Sequence, residues 1–173
     1  GGTRELLIVL EESFEQLNQK QCAAYLKKLK LPQEECTLEF LDRLIRRHLE
    51  EIPFENLDLV RTHELIQTDL DTVYKKIIQG RRGGYCFELN ALFLGLLRGL
   101  GYQAYPVACR VLRRPGLRMP THRASVVCAD GKKYFCDVGY GALPVSGLLL
   151  WSRALLLILI LAAFILKENV QDG

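Results

Sequence analysis

No Cys-x-x-Cys pair occurs in this chain, although it holds six cysteines, at positions 22, 36, 86, 109, 128 and 136. That absence removes the usual zinc-ribbon, zinc-finger and thioredoxin-like readings. Histidine is scarce too, at three residues, so no His-rich metal cluster can be assembled. No metal is expected. Basic and acidic residues nearly balance, with Lys plus Arg 23 and Asp plus Glu 20. Aromatic and basic residues are not interleaved, so nucleic-acid binding is not expected. Arg110, Arg113, Arg114 and Arg118 form one basic cluster. It reads first as a solvated loop and second as a patch for the phosphates of a nucleotide-containing cofactor. Internal repeats and low-complexity tracts are missing before residue 147. Leu6–Leu10 is too short an apolar stretch for a signal peptide. Free thiols in apolar settings predict a reducing compartment, with the cytoplasm as the default. The length suits one domain or two small ones, and 49% hydrophobic residues suffice for a core.

What is present is concentrated in Arg82-Gly83-Gly84-Tyr85-Cys86-Phe87-Glu88-Leu89-Asn90. A cysteine follows a glycine-rich break and opens a strongly apolar helix. Leu89, Leu92, Phe93, Leu96, Leu97 and Leu100 recur at spacings of three and four. The backbone N–H groups at a helix start are unpaired and carry partial positive charge. A thiol placed there loses its proton more easily, and the thiolate is the nucleophile. Cys86 is therefore a candidate catalytic residue.

A nucleophile needs a base and a group to orient that base. Residues 121–128 and 132–139 read as two strands around Asp130-Gly131, a strong hairpin signal. With Asp-Gly as the turn, 129 pairs with 132, and Asp137 falls opposite Ala124. Directly opposed residues share a face, as do residues two apart in one strand. His122 and Asp137 are then diagonal neighbours on one face, and a slip of one residue would separate them. The hairpin alone builds a His–Asp pair. The plain alternative is a surface histidine and an idle edge aspartate, and the cysteine motif upstream favours the functional reading.

Elsewhere, residues 3–30 read as helix, with Leu6, Leu10, Phe14 and Leu17 on one stripe. A second helix begins at Thr37, a good N-cap, and shows Leu38, Leu41, Leu44, Ile45, His48 and Leu49. His48 reads as a partly buried structural histidine, and His63 as incidental in a loop. A third helix is expected over Asp69–Gln79, with Gly80 as its stop. Gln103–Leu112 reads as a strand, followed by a Pro/Gly/Arg-rich loop to Pro120. Helices first and antiparallel strands afterwards give an α+β pattern.

Residues 82–90 resemble the arylamine N-acetyltransferases, whose signature Arg-Gly-Gly-x-Cys-x-Glu-x-Asn they match at every fixed position. Pro53-Phe54-Glu55-Asn56-Leu57 and Asp137-Val138-Gly139-Tyr140-Gly141 resemble further motifs of that family. The resemblance runs from about Ala24 to about Pro144. It implies a helical first domain, an antiparallel β-barrel-like second domain, and a papain-like Cys-His-Asp arrangement formed by Cys86, His122 and Asp137. It implies ping-pong acetyl transfer from acetyl-CoA, through an acetyl-Cys86, to an arylamine, arylhydrazine or N-arylhydroxylamine. By the same resemblance Phe54 and Tyr140 line the acceptor pocket, and Arg82 with Glu55 forms a supporting ion pair. Read as residues alone, Phe54 could be core, Tyr140 a strand-end cap, and Glu55–Arg82 an exposed pair of little worth.

The expected organisation is an extension over 1–20, a helical domain over 21–83, a partial β-barrel over 84–146 and a divergent tail over 147–173. The family continues with a lid-like third domain, which the resemblance does not find here. Gly1-Gly2 suggests a fragment or a processed chain. The tail holds 13 wholly apolar residues, Ala154–Leu166. As a helix these span roughly 20 Å, short of a hydrocarbon core of about 30 Å. A replaced C-terminal segment is preferred over a membrane anchor, and an anchor over a core helix. Two rival functions stay open: a truncated, catalytically impaired family member, and a cysteine hydrolase or transglutaminase-like enzyme sharing the Cys–His–Asp order.

Overall fold

The computed structural model describes residues 7–9, 15–62, 69–109, 122–139 and 149–150. Within these, strand β1 (Leu7–Val9) precedes helices α1 (Gln19–Leu29), α2 (Leu38–Glu51), α3 (Leu57–Thr62), α4 (Leu70–Tyr74) and α5 (Cys86–Leu100). Strands β2 (Gln103–Cys109), β3 (His122–Ala129), β4 (Lys132–Cys136) and β5 (Leu149–Leu150) follow. All strand pairs are antiparallel, and the sheet runs in the order β1-β2-β3-β4-β5. The expected α+β class holds. Among the described residues the strands form one antiparallel sheet, which takes in Leu7–Val9 and Leu149–Leu150 from outside residues 84–146.

Local signals set most boundaries. Asn18 caps α1, accepting from Gln21 N at 2.9 Å while its own N–H donates to Gln21 Oε1 at 3.0 Å. Thr37 Oγ1 caps α2 through Phe40 N at 3.1 Å, as its position in the sequence predicts. Gly101, at φ 110°, ends α5 in the left-handed region. The β3–β4 hairpin turns on Asp130 and Gly131, both at positive φ, and Ala129 pairs with Lys132. That is the register expected from the sequence.

Two expectations need correction. The helix read over 3–30 is not one element. Leu7-Ile8-Val9 pairs with Val107–Cys109 as a strand, and the helix starts only at Gln19. A β-branched pair beside an available β2 edge outweighs the helical spacing of the leucines. Residues 15–18 run into the capping Asn18, and Leu17 packs on α5. Leu17 N donates to Gly95 O at 3.0 Å, and a β-carbon on Gly99 would lie 2.5 Å from Leu17 O. The helix expected over Asp69–Gln79 is also divided. It begins as α4 under an Asp69 cap and widens into a π-helical turn over Lys75–Gln79.

Helix α5 is the centre of the molecule. Residues 88–97 are all buried, far more than one stripe requires. The reason is position: α1 and α4 pack on one side, and β2 and β3 on the other. The main core joins Tyr25, Phe40, Leu44, Ile45, Ile77, Leu92, Phe93 and Leu96 to Val127, Cys136 and Val138 of the sheet side. Burial of such side chains contributes roughly 1.5–3 kcal/mol each. One consequence is that the N-terminus of α5 is held against the ends of β3 and β4.

His48 is wholly buried rather than partly so. Its Nε2 lies 2.6 Å from Tyr25 Oη, and its ring meets Phe93 edge-on. No helix among the described residues is long and apolar enough to cross a membrane. Most of the apolar tail, Arg110–Arg118 and His63 lie outside the described residues.

Candidate active site

Cys86 is the first residue of α5, half-buried, with extended Tyr85 as the N-cap. Helix geometry therefore turns the first backbone N–H groups toward the space in front of the thiol. His122 opens β3 and Asp137 follows β4, both less than a tenth exposed. Asp137 Oδ2 is 2.5 Å from His122 Nε2. That leaves Nδ1 as the imidazole nitrogen for the Cys86 thiol, to which His122 is hydrogen-bonded. The structure thus brings Cys86, His122 and Asp137 together.

The electrostatics of His122 follow from its partners. Burial pushes its imidazole down. The hydrogen bonds to Asp137 and to Cys86, and the charges of both, outweigh burial and hold it up at about 10. At neutral pH the ring is an imidazolium, the partner a thiolate needs. The other described cysteines lack this setting. Burial raises the thiols of Cys22 and Cys36. Burial and then the Asp137 charge push Cys136 up to about 12. His48, pushed down to about 3 chiefly by burial, is a neutral structural residue.

Asp137 is fixed from both ends of its carboxylate. While Oδ2 faces His122, Oδ1 accepts from Asn90 Nδ2 at 3.0 Å and from Gly139 N at 2.9 Å. Asn90 also donates to Arg123 O at 2.6 Å and accepts from Val138 N at 3.1 Å. One amide on α5 therefore fastens β3 and the segment after β4 to the helix of Cys86. Gly139 permits this closeness. A β-carbon there would lie 2.8 Å from Cys86 Cα and 2.7 Å from Asn90 Nδ2.

The Phe54 segment is laced to the glycine pair before Cys86. Glu55 N donates to Gly84 O at 2.9 Å and Gly84 N to Pro53 O at 3.3 Å, forming a short parallel bridge. Phe54 is 46% exposed, so it is not plain core. Arg82 donates to Glu55 at 2.6 Å and to Asp58 at 3.0 Å, a fork across two carboxylates. Tyr140 lies outside the described residues.

Four contributors were not singled out from the sequence. Asn90 and Glu88 stand inside the motif, and their spacing from Cys86 marks them as residues of the first helical turns. Lys76 and Asp58 carry no local signal. No group of three or more metal-ligating side chains occurs among the described residues.

Comparison with known proteins matches residues 37–153 to a family described as N-acetyltransferase. The arylamine N-acetyltransferase / N-hydroxyarylamine O-acetyltransferase of Salmonella typhimurium is 40% identical over 107 residues, covering 61% of this chain and 38% of that protein. The arylamine N-acetyltransferase of Escherichia coli is 41% identical over 106 residues, covering 58% of this chain and 37% of that protein. The solved Salmonella typhimurium arylamine N-acetyltransferase superposes with a TM-score of 0.73 at 33% identity, over 79% of this chain and 50% of that one. The Nocardia farcinica arylamine N-acetyltransferase gives 0.71 at 33% identity, over 83% and 52%. The matched stretch spans under two-fifths of these curated relatives' length.

Proposed function

The chain belongs to the arylamine N-acetyltransferase family, and from that premise we propose that it transfers an acetyl group from acetyl-CoA to the nitrogen of an arylamine or arylhydrazine, or to the oxygen of an N-arylhydroxylamine. The observation that carries this reading is the hydrogen-bonded series Cys86, His122, Asp137 at the start of α5.

The steps follow from the side chains. The Cys86 thiolate attacks the thioester carbonyl of acetyl-CoA. The oxyanion that develops meets backbone N–H groups at the α5 start, the kind of preorganised donor that stabilises such charge. The carbon–sulfur bond to CoA breaks, and the CoA thiolate leaves with a proton from His122. The acetyl group now sits on Cys86 as a thioester, so donor and acyl-enzyme are of similar energy. The amine then attacks that carbonyl, His122 takes its proton, and Cys86 leaves as thiolate. Asp137 holds the His122 tautomer and stabilises its charged form throughout. Acetyl-CoA is a substrate here.

Phe54, half exposed on the segment bridged to Gly84, offers an apolar face for an aromatic acceptor. Tyr140 is proposed to share that wall, and Arg82 with Glu55 to brace it. The test is two-substrate kinetics at several fixed arylamine concentrations. Parallel double-reciprocal lines, lost in Cys86→Ala, are expected. Intersecting lines would exclude the acetyl-cysteine intermediate.

A further inference from the structure

A partly buried cation is paired with the first turn of α5. Lys76 sits in the π-helical turn that ends the α4 segment, a wide turn that re-aims side chains and recurs at functional sites. Gly80 N donates to Lys75 O at 2.8 Å, and Arg82 N to Lys76 O at 3.3 Å. The carbonyl of Lys76 therefore receives the segment that leads to Cys86. Its side chain, 14% exposed, carries Nζ 2.8 Å from Asp58, 2.9 Å from Glu88 and 3.9 Å from Glu55. Burial opposes its charge, while the hydrogen bonds to Asp58 and Glu88 outweigh burial and raise it above the ordinary lysine range.

Glu88 is the partner of consequence. It stands two residues after Cys86, its side chain is 2% exposed, and Oε1 accepts from Tyr85 N at 3.3 Å. A buried carboxylate deprived of its cation is costly. Arg82 is held on Glu55 and Asp58.

We propose that Lys76 is a positioning residue for the reaction: paired with Glu88, it holds the first turn of α5 so that Cys86 faces His122, and it offsets a carboxylate charge that would work against a Cys86 thiolate. The charged and titratable groups around this start of α5 are Asp58 and Glu55 from the α3 side, Arg82 and Tyr85 before the helix, Glu88 within it, and His122 and Asp137 from the sheet. The proposal rests on Cys86 being the nucleophile.

The test is the rate at which iodoacetamide alkylates Cys86 at neutral pH, read by peptide mass in the full chain. Lys76→Gln is expected to slow it about tenfold, the scale of one lost charge interaction near a protein surface. Glu88→Gln, which removes the opposing charge, is expected to leave the rate equal or faster. The double variant, a neutral amide pair, is expected to return within about threefold of the wild type, and Lys76→Arg to stay close to it. In turnover, Lys76→Gln should lower kcat with little change in KM. A purely structural role would slow both single variants alike. If Lys76→Gln does not fold, a folded double variant alkylating near the wild-type rate still supports the proposal. Wild-type alkylation in Lys76→Gln, or a double variant that is unfolded or no faster than Lys76→Gln, overturns it. Alkylation needs no acetyl donor. A wild-type chain that follows this pattern yet takes no acetyl group from acetyl-CoA would sink acetyl transfer and leave the Lys76 role standing.

Discussion

Asn90 and Asp137 are joined by a 3.0 Å hydrogen bond across the junction of helix and sheet. The bond fixes the carboxylate that faces His122 relative to the helix that begins with Cys86. Three elements are held by one side chain, because the same amide also bonds Arg123 O and Val138 N. A nucleophile on a helix and a base on a sheet need such a link, since misplacement of about 1 Å can cost 10²-fold in rate.

Asn90→Ala is expected to leave Val138 N, Arg123 O and one Asp137 lone pair without this partner. Each buried group so stranded costs about 1–3 kcal/mol. The variant should fold with a lower Tm and accept acetyl groups about 10–100-fold more slowly, with Cys86 still present. Stopped-flow release of CoA measures the rate. A wild-type rate would show that Asp137 holds its place without Asn90.

Gly139→Ala places a β-carbon against the backbone of Cys86 and the amide of Asn90. Overpacking of this kind costs about 1–3 kcal/mol. The neighbours are backbone and a thrice-bonded amide, so little can give way. Loss of acetylation by at least tenfold, with the circular dichroism spectrum retained, is the expected outcome.

Much of this geometry is legible in the sequence, because it rests on local rules. Asp130-Gly131 sets the hairpin register, and that register points to the His122–Asp137 pair, although Asp137 lies one residue past β4. The glycines before Cys86 and the apolar spacing after it place a thiol at a helix start. Elements whose state depends on distant partners are not legible. Leu7-Ile8-Val9 is a strand because the β2 edge is there to receive it. In the π-helical turn after α4, Lys76 reaches Asp58 and Glu88, one of them in a later helix, and local spacing gives no sign of either. The burial of residues 88–97 around the whole of α5 requires layers on both sides, which periodicity cannot reveal.

The two described histidines should give opposite pH dependences of stability. His48 is lowered from 6.5 to about 3, mainly by burial. The neutral form is favoured on folding, so its contribution is lost as pH falls from about 6.5 toward 3. His122 is raised from 6.5 to about 10. Its contribution is full below about 6.5 and is lost as pH rises toward 10. Urea unfolding across this range should show His48→Gln flattening the acid limb and Asp137→Asn flattening the alkaline limb. Unchanged limbs in either variant would contradict the charge states assigned to these rings.

The central claim is that Cys86 carries the acetyl group, and intact mass tests it most directly. Purified chain is incubated with acetyl-CoA beside Cys86→Ala, and both are weighed before and after addition of an arylamine. One acetyl group on the wild type, absent from Cys86→Ala and discharged by the arylamine, is the predicted result. A folded wild-type chain that gains no acetyl group, or a Cys86→Ala variant that gains one equally, would contradict the account.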